Sequence, residues 1–585
     1  MRRYLIATAS VFLLALTSFG AGARPRGQST SIEVQILAFN DFHGNIESPK
    51  LAVPAHDSRG DEVQVPAGGA AYLAGALEKL RKGHRYSATV SAGDLIGASP
   101  LASALFLDEP TIDAMNALHL DLNAVGNHEF DRGSSELLRM QRGGCTKYTA
   151  RKPCALESFQ GARFKFLAAN VLTGEGETLF PSTAVLKFGA LKIGFIGMTL
   201  KETGTLVTPS GVAGLHFADE AQTANALVPK LKVEGANAIV LLIHQGGYLT
   251  PFDDGTCKGL NGPILSILDK LDPAISVVVS GHTHNAYICE IAERSGGKRL
   301  LTSSGKYGTL LTDIRLRFSR HTHRLLSRSA NFHIVQGEGF TGATGTAAIT
   351  NAFPVDRPDL AVAAVVHRYA DAARPFGERV VAHLSAPVSS KADANGEAPL
   401  GDLIADAQLA WARSHGGADL ALMNAGGVRT DLTPGPDGRI TYGQLFALQP
   451  FGNGIVVHNL RGEQIKRLLE QQFDSGTNTA QKPNVLSPSA GFAFSYDLGR
   501  PAGQRIVAAT LNGQPLDLSA TYRVVTNSFM SSGGDNFTVL QEATEKRDTG
   551  LDLDALETYL ATVPAMPAGD RVKKARAAPA TASKV

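Results

Sequence analysis

Leu122-Asn-Ala-Val-Gly-Asn-His-Glu-Phe130 decides how this chain is read: a short apolar run, a glycine, then Asn127, His128 and Glu129. A strand that stops on a glycine presents the next side chains at its carboxyl end, where open α/β sheets place ligands. Asparagine brings a carbonyl oxygen and histidine a ring nitrogen, both suited to a divalent cation. The weight of the stretch comes from four other strand-like runs that end in the same way.

Ile32 to Phe39 stops at Asn40-Asp-Phe-His-Gly44, and continued extension would aim Asp41 and His43 at one face. Ser87 to Ser91 ends in Gly93-Asp94. Ala238 to Ile243 is wholly apolar, as a strand covered on both faces is, and ends at His244. Ile275 to Val279 ends in Ser280-Gly-His-Thr-His284. Helical segments near 69–82 and 111–118, with further strands at Phe164–Ala169 and Leu191–Met198, complete an alternating α/β pattern to about residue 335.

Asp41, His43, Asp94, Asn127, His244, His282 and His284 supply eight contacts if one aspartate bridges, about the number two ions at 3.5–4 Å need. Nitrogen and oxygen donors without sulfur suit Zn²⁺ or Mn²⁺. Taken singly, such a histidine is usually a hydrogen-bonded structural residue and an aspartate after glycine usually a helix cap. Ordered recurrence is what points to metal. His321-Thr-His323 repeats the letters of 282–284, but it follows a polar strand among Arg317, Arg320 and Arg324 and reads as a solvated turn.

The 585 residues suggest two domains, and a net charge of +2 indicates neither a nucleic-acid polymer nor an acidic membrane as a bulk partner. Arg2 and Arg3, an apolar stretch from Tyr4 to Phe19 and Ala21-Gly-Ala23 form a cleavable leader over 1–23. It is shorter than the ~20 apolar residues of a membrane anchor, so an exported protein without stable membrane insertion is expected, periplasmic or secreted. Four cysteines then read as disulfides, and proximity favours Cys145–Cys154 with Cys257–Cys289 among three pairings. A linker with one helix at Asp359–Ala373 occupies 336–375, and a second α/β or α+β domain spans 376–566. Its strand-like runs lead into Asn424-Ala-Gly-Gly-Val-Arg429, Gln449-Pro-Phe-Gly-Asn453 and Gly533-Gly-Asp-Asn-Phe537. Residues 567–585 read as a disordered tail.

Together, Asn40 to Gly44, Gly93-Asp94, Gly126 to Asp131, His244, Gly281 to His284, Leu400 to Asp406 and the three C-terminal segments resemble the 5′-nucleotidase family. That likeness implies a four-layer α/β/β/α metallophosphatase sandwich followed by a nucleotide-binding domain. It further implies one cation held by Asp41, His43, Asp94 and His284, and a second by Asp94, Asn127, His244 and His282. His128 would face the phosphate with Asp131 orienting its ring. Arg429 would bind phosphate, while Asn424, Gly426 and Gly427 would allow a close backbone approach. Phe451 and Phe537 would sandwich the base, and Asn453 would hydrogen-bond it.

Three departures from the family pattern stand out. Lys391 occupies a neighbourhood where relatives carry a second arginine, Asp402 stands where some carry Asn or Arg, and no counterpart of a ribose-binding aspartate follows Phe537. The implied activity is hydrolysis of nucleoside 5′-monophosphates, with UDP-sugars as further substrates and a domain rotation about the Asp359–Ala373 helix. A 2′,3′-cyclic phosphodiesterase with 3′-nucleotidase activity would use the same groups. A thiosulfohydrolase would have no use for an aromatic clamp, and a secreted nucleotide-binding protein would not need the ligand set.

Overall fold

The computed structural model describes residues 30–575 apart from 150, 250–256, 295, 343–344, 563–565 and 568, so the expected leader lies outside the described residues. Two six-stranded sheets pack face to face. In the first, Ser31–Phe39, Ser87–Ser91, Leu122–Ala124 and Lys165–Leu167 run parallel, with antiparallel Leu310–Ser319 and Leu325–Ile334 completing one side. In the second, Leu191–Thr199, Ala238–His244, Ile275–Ser280 and Lys298–Ser304 run parallel between two antiparallel edges.

Val34, Ile36, Ala38 and Val90 of the first sheet meet Phe195, Val240, Leu242 and Val277 of the second in one core. The opposite faces are covered by helices. Ala70–Arg81 and Glu109–Ala117 bury Leu73, Leu77 and Met115 on the first sheet, and Glu220–Val233 buries Ala224 and Leu231 on the second. The expected α/β/β/α layering follows, and it explains why Ala238–His244 is buried at every position. The parallel strands deliver their carboxyl ends to one edge.

The second domain centres on a five-stranded sheet in the order Ser487–Pro488, Leu420–Met423, Thr521–Asn527, Gly454–Arg461, Thr544–Leu551. Helices Pro399–Ser414 and Asp552–Leu560 cover one face through Leu403, Ala407, Leu556 and Leu560. On the other face Leu420, Leu468 and Val524 pack with a four-stranded sheet carrying Phe492 and Phe494.

Several expectations change. The linker region carries a hairpin, Phe340–Gly342 with Gly345–Ala347, and the helix Leu360–Gly377 belongs by packing to the first domain. Asp359 caps that helix by accepting the Val362 N–H (2.9 Å), and Val362, Tyr369 and Ala373 enter the same core as Leu77 and Met115. Leu101 and Ala104 of the first domain join Leu445 and Phe446 of the second, giving the two halves a shared apolar contact.

The tail is ordered further than its composition suggests. Val572–Lys574 pairs in parallel with Phe492–Tyr496, and the Arg571 guanidinium grips both Asp406 carboxylate oxygens (2.8 and 2.9 Å). A single buried apolar residue, Val572, and one ion pair are too short a signal to stand out from the surrounding Ala, Lys and Pro. Both disulfides form as proximity favoured, Cys145–Cys154 and Cys257–Cys289. The His321-Thr-His323 segment is the turn between Leu310–Ser319 and Leu325–Ile334, away from the strand ends that gather the other histidines.

Candidate active site

The seven candidate ligands converge where the two sheets present their carboxyl ends. Two groups form whose donor atoms all lie within 4.8 Å of one another: Asp41, His43 and His284, and Asp94, His244 and His282. Asp94 stands between them, with Oδ2 at 3.6 Å from His43 Nε2 and 2.9 Å from His244 Nε2. Asn127 Oδ1 lies 3.1 Å from His282 Nδ1.

Backbone geometry does much of this placing. Asp41, His43, Asp94, His282 and His284 all adopt positive φ, between +47° and +71°. Such a conformation costs a non-glycine residue about 1–3 kcal/mol and persists only when its surroundings enforce it. Hydrogen bonds supply that enforcement. Asp41 N–H donates to the Gly93 carbonyl (3.0 Å), His43 N–H to the Asp94 carbonyl (2.9 Å) and His282 N–H to the Asp41 carboxylate (3.0 Å). Gly93, at φ +92°, has no room for a side chain, since a Cβ would stand 2.6 Å from His244 Nδ1.

The donor set fits a cation pair. A carbonyl can only accept, so His43 Nδ1 donates to Gly97 O (2.9 Å) and His244 Nδ1 to Ala92 O (2.8 Å). Each Nε2 is thereby turned toward other candidate ligands: His43 Nε2 meets His284 Nε2 at 3.1 Å, and His244 Nε2 lies 2.9 Å from Asp94 Oδ2. Imidazoles locked through Nδ1 by a backbone carbonyl, with Nε2 turned toward carboxylates and other imidazoles, are the usual arrangement of metal-binding histidines.

Electrostatics agree. Burial drives the His43 and His282 imidazoles down to about 3, keeping them neutral, and lifts the Asp41 carboxyl to about 7. Burial opposes protonation of His244 as well, yet the adjoining Asp94 carboxylate raises it to about 10, a measure of the negative charge gathered there.

His128 points its ring toward the cavity rather than into either group. Its Nδ1 bonds both Asp131 carboxylate oxygens (3.0 and 2.9 Å), and its N–H donates to Asp94 Oδ1 (2.9 Å). Burial disfavours the imidazolium, but Asp131 and Asp94 overcome it and hold His128 above its ordinary pKa.

Beyond His128 lies a cavity of about 190 Å³ between the two domains. One wall carries Asn127, His128, Asp131 and His282, with Leu206, Val207 and Thr208 at its rim. The other carries Asn424, Gly426, Gly427, Arg429, Phe451 and Asn453, all anticipated from sequence. Phe451 stacks on His128 at 6.0 Å with planes 17° apart, and the Arg429 guanidinium sits 5.8 Å from the Phe451 ring.

Phe537, expected to stack on the base, does not line the cavity. It is fully buried, packed with Leu468, Met530 and Leu540. Phe529, at the start of the short helix Ser528–Ser531, lines the cavity along with Phe451. Asp535 also lines the cavity, accepting a hydrogen bond from Asn424 Nδ2 (2.7 Å), while Asn424 Oδ1 accepts from Asn527 Nδ2 (2.8 Å). The carboxylate that lines the cavity thus precedes Phe537 in the chain. The available signal was the strand Thr521–Asn527: a strand's carboxyl end delivers Asn527 and Phe529 first, as it does at every ligand in the first domain.

The two departures are placed as well. Lys391 is exposed beside Asp431 and does not line the cavity. Asp402 is buried in the second domain's core, where burial and the neighbouring Glu397 push its carboxyl up to about 9.

Two family models match the chain, calcineurin-like phosphoesterase over residues 34–286 and the 5′-nucleotidase C-terminal domain over residues 380–542. The chain belongs to the 5′-nucleotidase family. Membership places it among metal-dependent phosphoesterases. Over 172 residues, 28% of this chain and 84% of the relative, it is 50% identical to an uncharacterized protein in the pqq-V 5′ region of Acinetobacter calcoaceticus. It is 28% identical over 520 residues to Endonuclease YhcR of Bacillus subtilis, matching 88% of this chain but only 38% of that relative's length. The crystal structure of a 5′-nucleotidase precursor from Thermus thermophilus superposes with a TM-score of 0.72 at 27% identity, covering 93% of this chain and 99% of that one.

Proposed function

We propose that the protein hydrolyses nucleoside 5′-monophosphates to nucleoside and phosphate, using two divalent cations, Zn²⁺ or Mn²⁺. The observation that carries this reading is the single cavity in which His128 and Asn127 face Arg429, Phe451 and Phe529. Asp41, His43, Asp94 and His284 would hold one ion and Asp94, Asn127, His244 and His282 the other. When bound, the ions supply Lewis acidity toward the phosphoryl oxygens and a water of lowered pKa. Arg429 binds the phosphate through its planar fork. Phe451 and Phe529 take the base between them, and Asn453 and Asp535 present polar atoms to the base and the ribose. His128, held protonated by Asp131, stabilises charge on the phosphoryl group and passes its proton to the departing 5′-oxygen.

UDP-sugars fit the same groups as a further substrate. Because the cavity lies between the domains, substrate entry requires them to part, and the Leu360–Gly377 helix, fixed to the first domain, is the connector about which they would turn. Two disulfides and the leader-like N-terminus support export to the periplasm or medium. No described helix is long and apolar enough to cross a membrane.

Likeness to a protein named as an endonuclease favours cleavage of phosphodiesters as a second reading, and among these a 2′,3′-cyclic nucleotide would use the same groups. A panel of 5′-AMP, 3′-AMP, 2′,3′-cyclic AMP and UDP-glucose, each with Mn²⁺ or Zn²⁺, separates them. Phosphate release from 5′-AMP above all others is expected; robust cyclic-ester opening with negligible 5′-AMP turnover would replace the first reading with the second.

A further inference from the structure

We infer that Glu129 is a positioning residue that fixes the relation between the two cation sites. It lies next to the His128–Asp131 dyad but points away from the cavity and is buried, only 3% exposed. No lysine or arginine pairs with it among the described residues. Its carboxylate is instead used entirely on neighbouring donors. Oε2 accepts the N–H of Gly126 (2.7 Å) and of Asp94 (3.0 Å), while Oε1 accepts the Leu95 N–H (2.8 Å) and Asn123 Nδ2 (3.2 Å). Asn123 Oδ1 in turn accepts the Gly93 N–H (3.3 Å).

These donors belong to two different strand ends. Gly93, Asp94 and Leu95 follow Ser87–Ser91, with Gly93 and Asp94 both at positive φ, so their amides turn inward as a small anion-binding nest. Gly126 follows Leu122–Ala124 and immediately precedes Asn127. One side chain therefore ties the backbone of Asp94, shared by both groups of ligands, to the backbone carrying Asn127, which faces only one. The tie is returned, because the Asp94 carboxylate accepts the His128 N–H next door (2.9 Å). Gly126 leaves no slack: a Cβ there would stand 2.2 Å from Asp94 Oδ1. Without Glu129, three backbone amides lose their acceptor and the left-handed Asp94 loses what holds it.

The inference rests on the two-cation reading above. Its test is titration of the metal-free full chain with Mn²⁺, read by calorimetry and by the exchange-coupled electron paramagnetic resonance signal of a manganese pair. Glu129→Gln keeps the size of the side chain but places an amide donor against amide donors. The expected result is near-parental binding of the first Mn²⁺, with the second weakened by about 10- to 100-fold, as for other groups that orient metal ligands. The coupled signal should then appear only at excess metal. A purely structural role would lower the melting temperature of the metal-free protein and leave the ratio of the two affinities unchanged, which overturns the inference. Asn123→Ala, which removes one bond to Glu129 and one to Gly93, should shift the second affinity the same way by a smaller factor. If Glu129→Gln does not fold, an unchanged second affinity in Asn123→Ala overturns the inference on its own. A parent chain that binds no manganese pair would instead sink the two-cation reading, so the two failures are distinguishable.

Discussion

The two walls of the cavity hold their working groups by different means. On the first domain, five of seven candidate ligands sit in left-handed backbone, three of them fully buried and His282 and His284 half-buried, and the loops that carry them are tied together through main-chain hydrogen bonds. On the second, Arg429, Phe451 and Phe529 keep ordinary backbone, are half-buried and reach the cavity through side chains alone. Where charge must be placed to a fraction of an ångström, the fold stores strain to do it. Where a flat ring must be gripped, a rotamer suffices.

That contrast predicts where substitutions are fatal and where they are graded. The sharpest break comes at Asp94, the group between the two sets of ligands. Asp94→Ala should abolish cation-pair binding and reduce phosphate release to background, with metal content by plasma mass spectrometry as the direct check. A variant that retained two ions and turned over substrate would remove the reason for grouping the seven residues. His128→Ala comes next: kcat should fall by about 10²–10⁴-fold, the usual size for a lost general acid, while metal content stays parental. Loss of metal in that variant would mean that His128 is a ligand and that the first wall has a different membership.

The third comparison pits two phenylalanines against each other. Phe529→Ala should raise KM for 5′-AMP by about 5- to 150-fold, matching 1–3 kcal/mol per stacked base, and leave thermal stability almost unchanged. Phe537→Ala should do the reverse, costing about 3–5 kcal/mol of stability with no selective effect on KM. Equal KM effects from both would return Phe537 to the cavity.

This pair also shows what the sequence could and could not reveal. The ligand side was legible almost completely, since each residue stands at a fixed offset from an apolar run, and both the strand ends and the residue types needed for a cation are visible in one dimension. Glu129 was in view but its role was not, because its partners are backbone amides, which carry no letter. On the cavity side, Phe529 and Phe537 are eight positions apart in one Gly-rich segment, and only the packing of the chain after Thr521–Asn527 decides which ring turns outward and which fills the core. The position of Asp402 was hidden for a related reason. An aspartate on a helix beside a family motif suggests the site, whereas the helix Pro399–Ser414 turns that face into its own domain's core.

Asp402 yields an effect on stability alone, one that appears only as pH changes. Its carboxyl titrates near 9 in the folded chain, raised first by burial and then by Glu397, against about 3.9 when unfolded. The folded chain therefore holds a proton that the unfolded chain releases. This contribution to stability is fully present below pH 4 and is lost progressively as pH rises toward 9. Asp402→Asn keeps the shape and removes the titration, so its melting temperature should exceed that of the parent at pH 8 and show no gain at pH 4. Activity should be unaffected, because the residue does not line the cavity. Melting curves recorded across that range on both chains decide it. Parallel curves would show that Asp402 is ionised at neutral pH, and the second domain would then, like the first, owe part of its structure to a compensated buried charge.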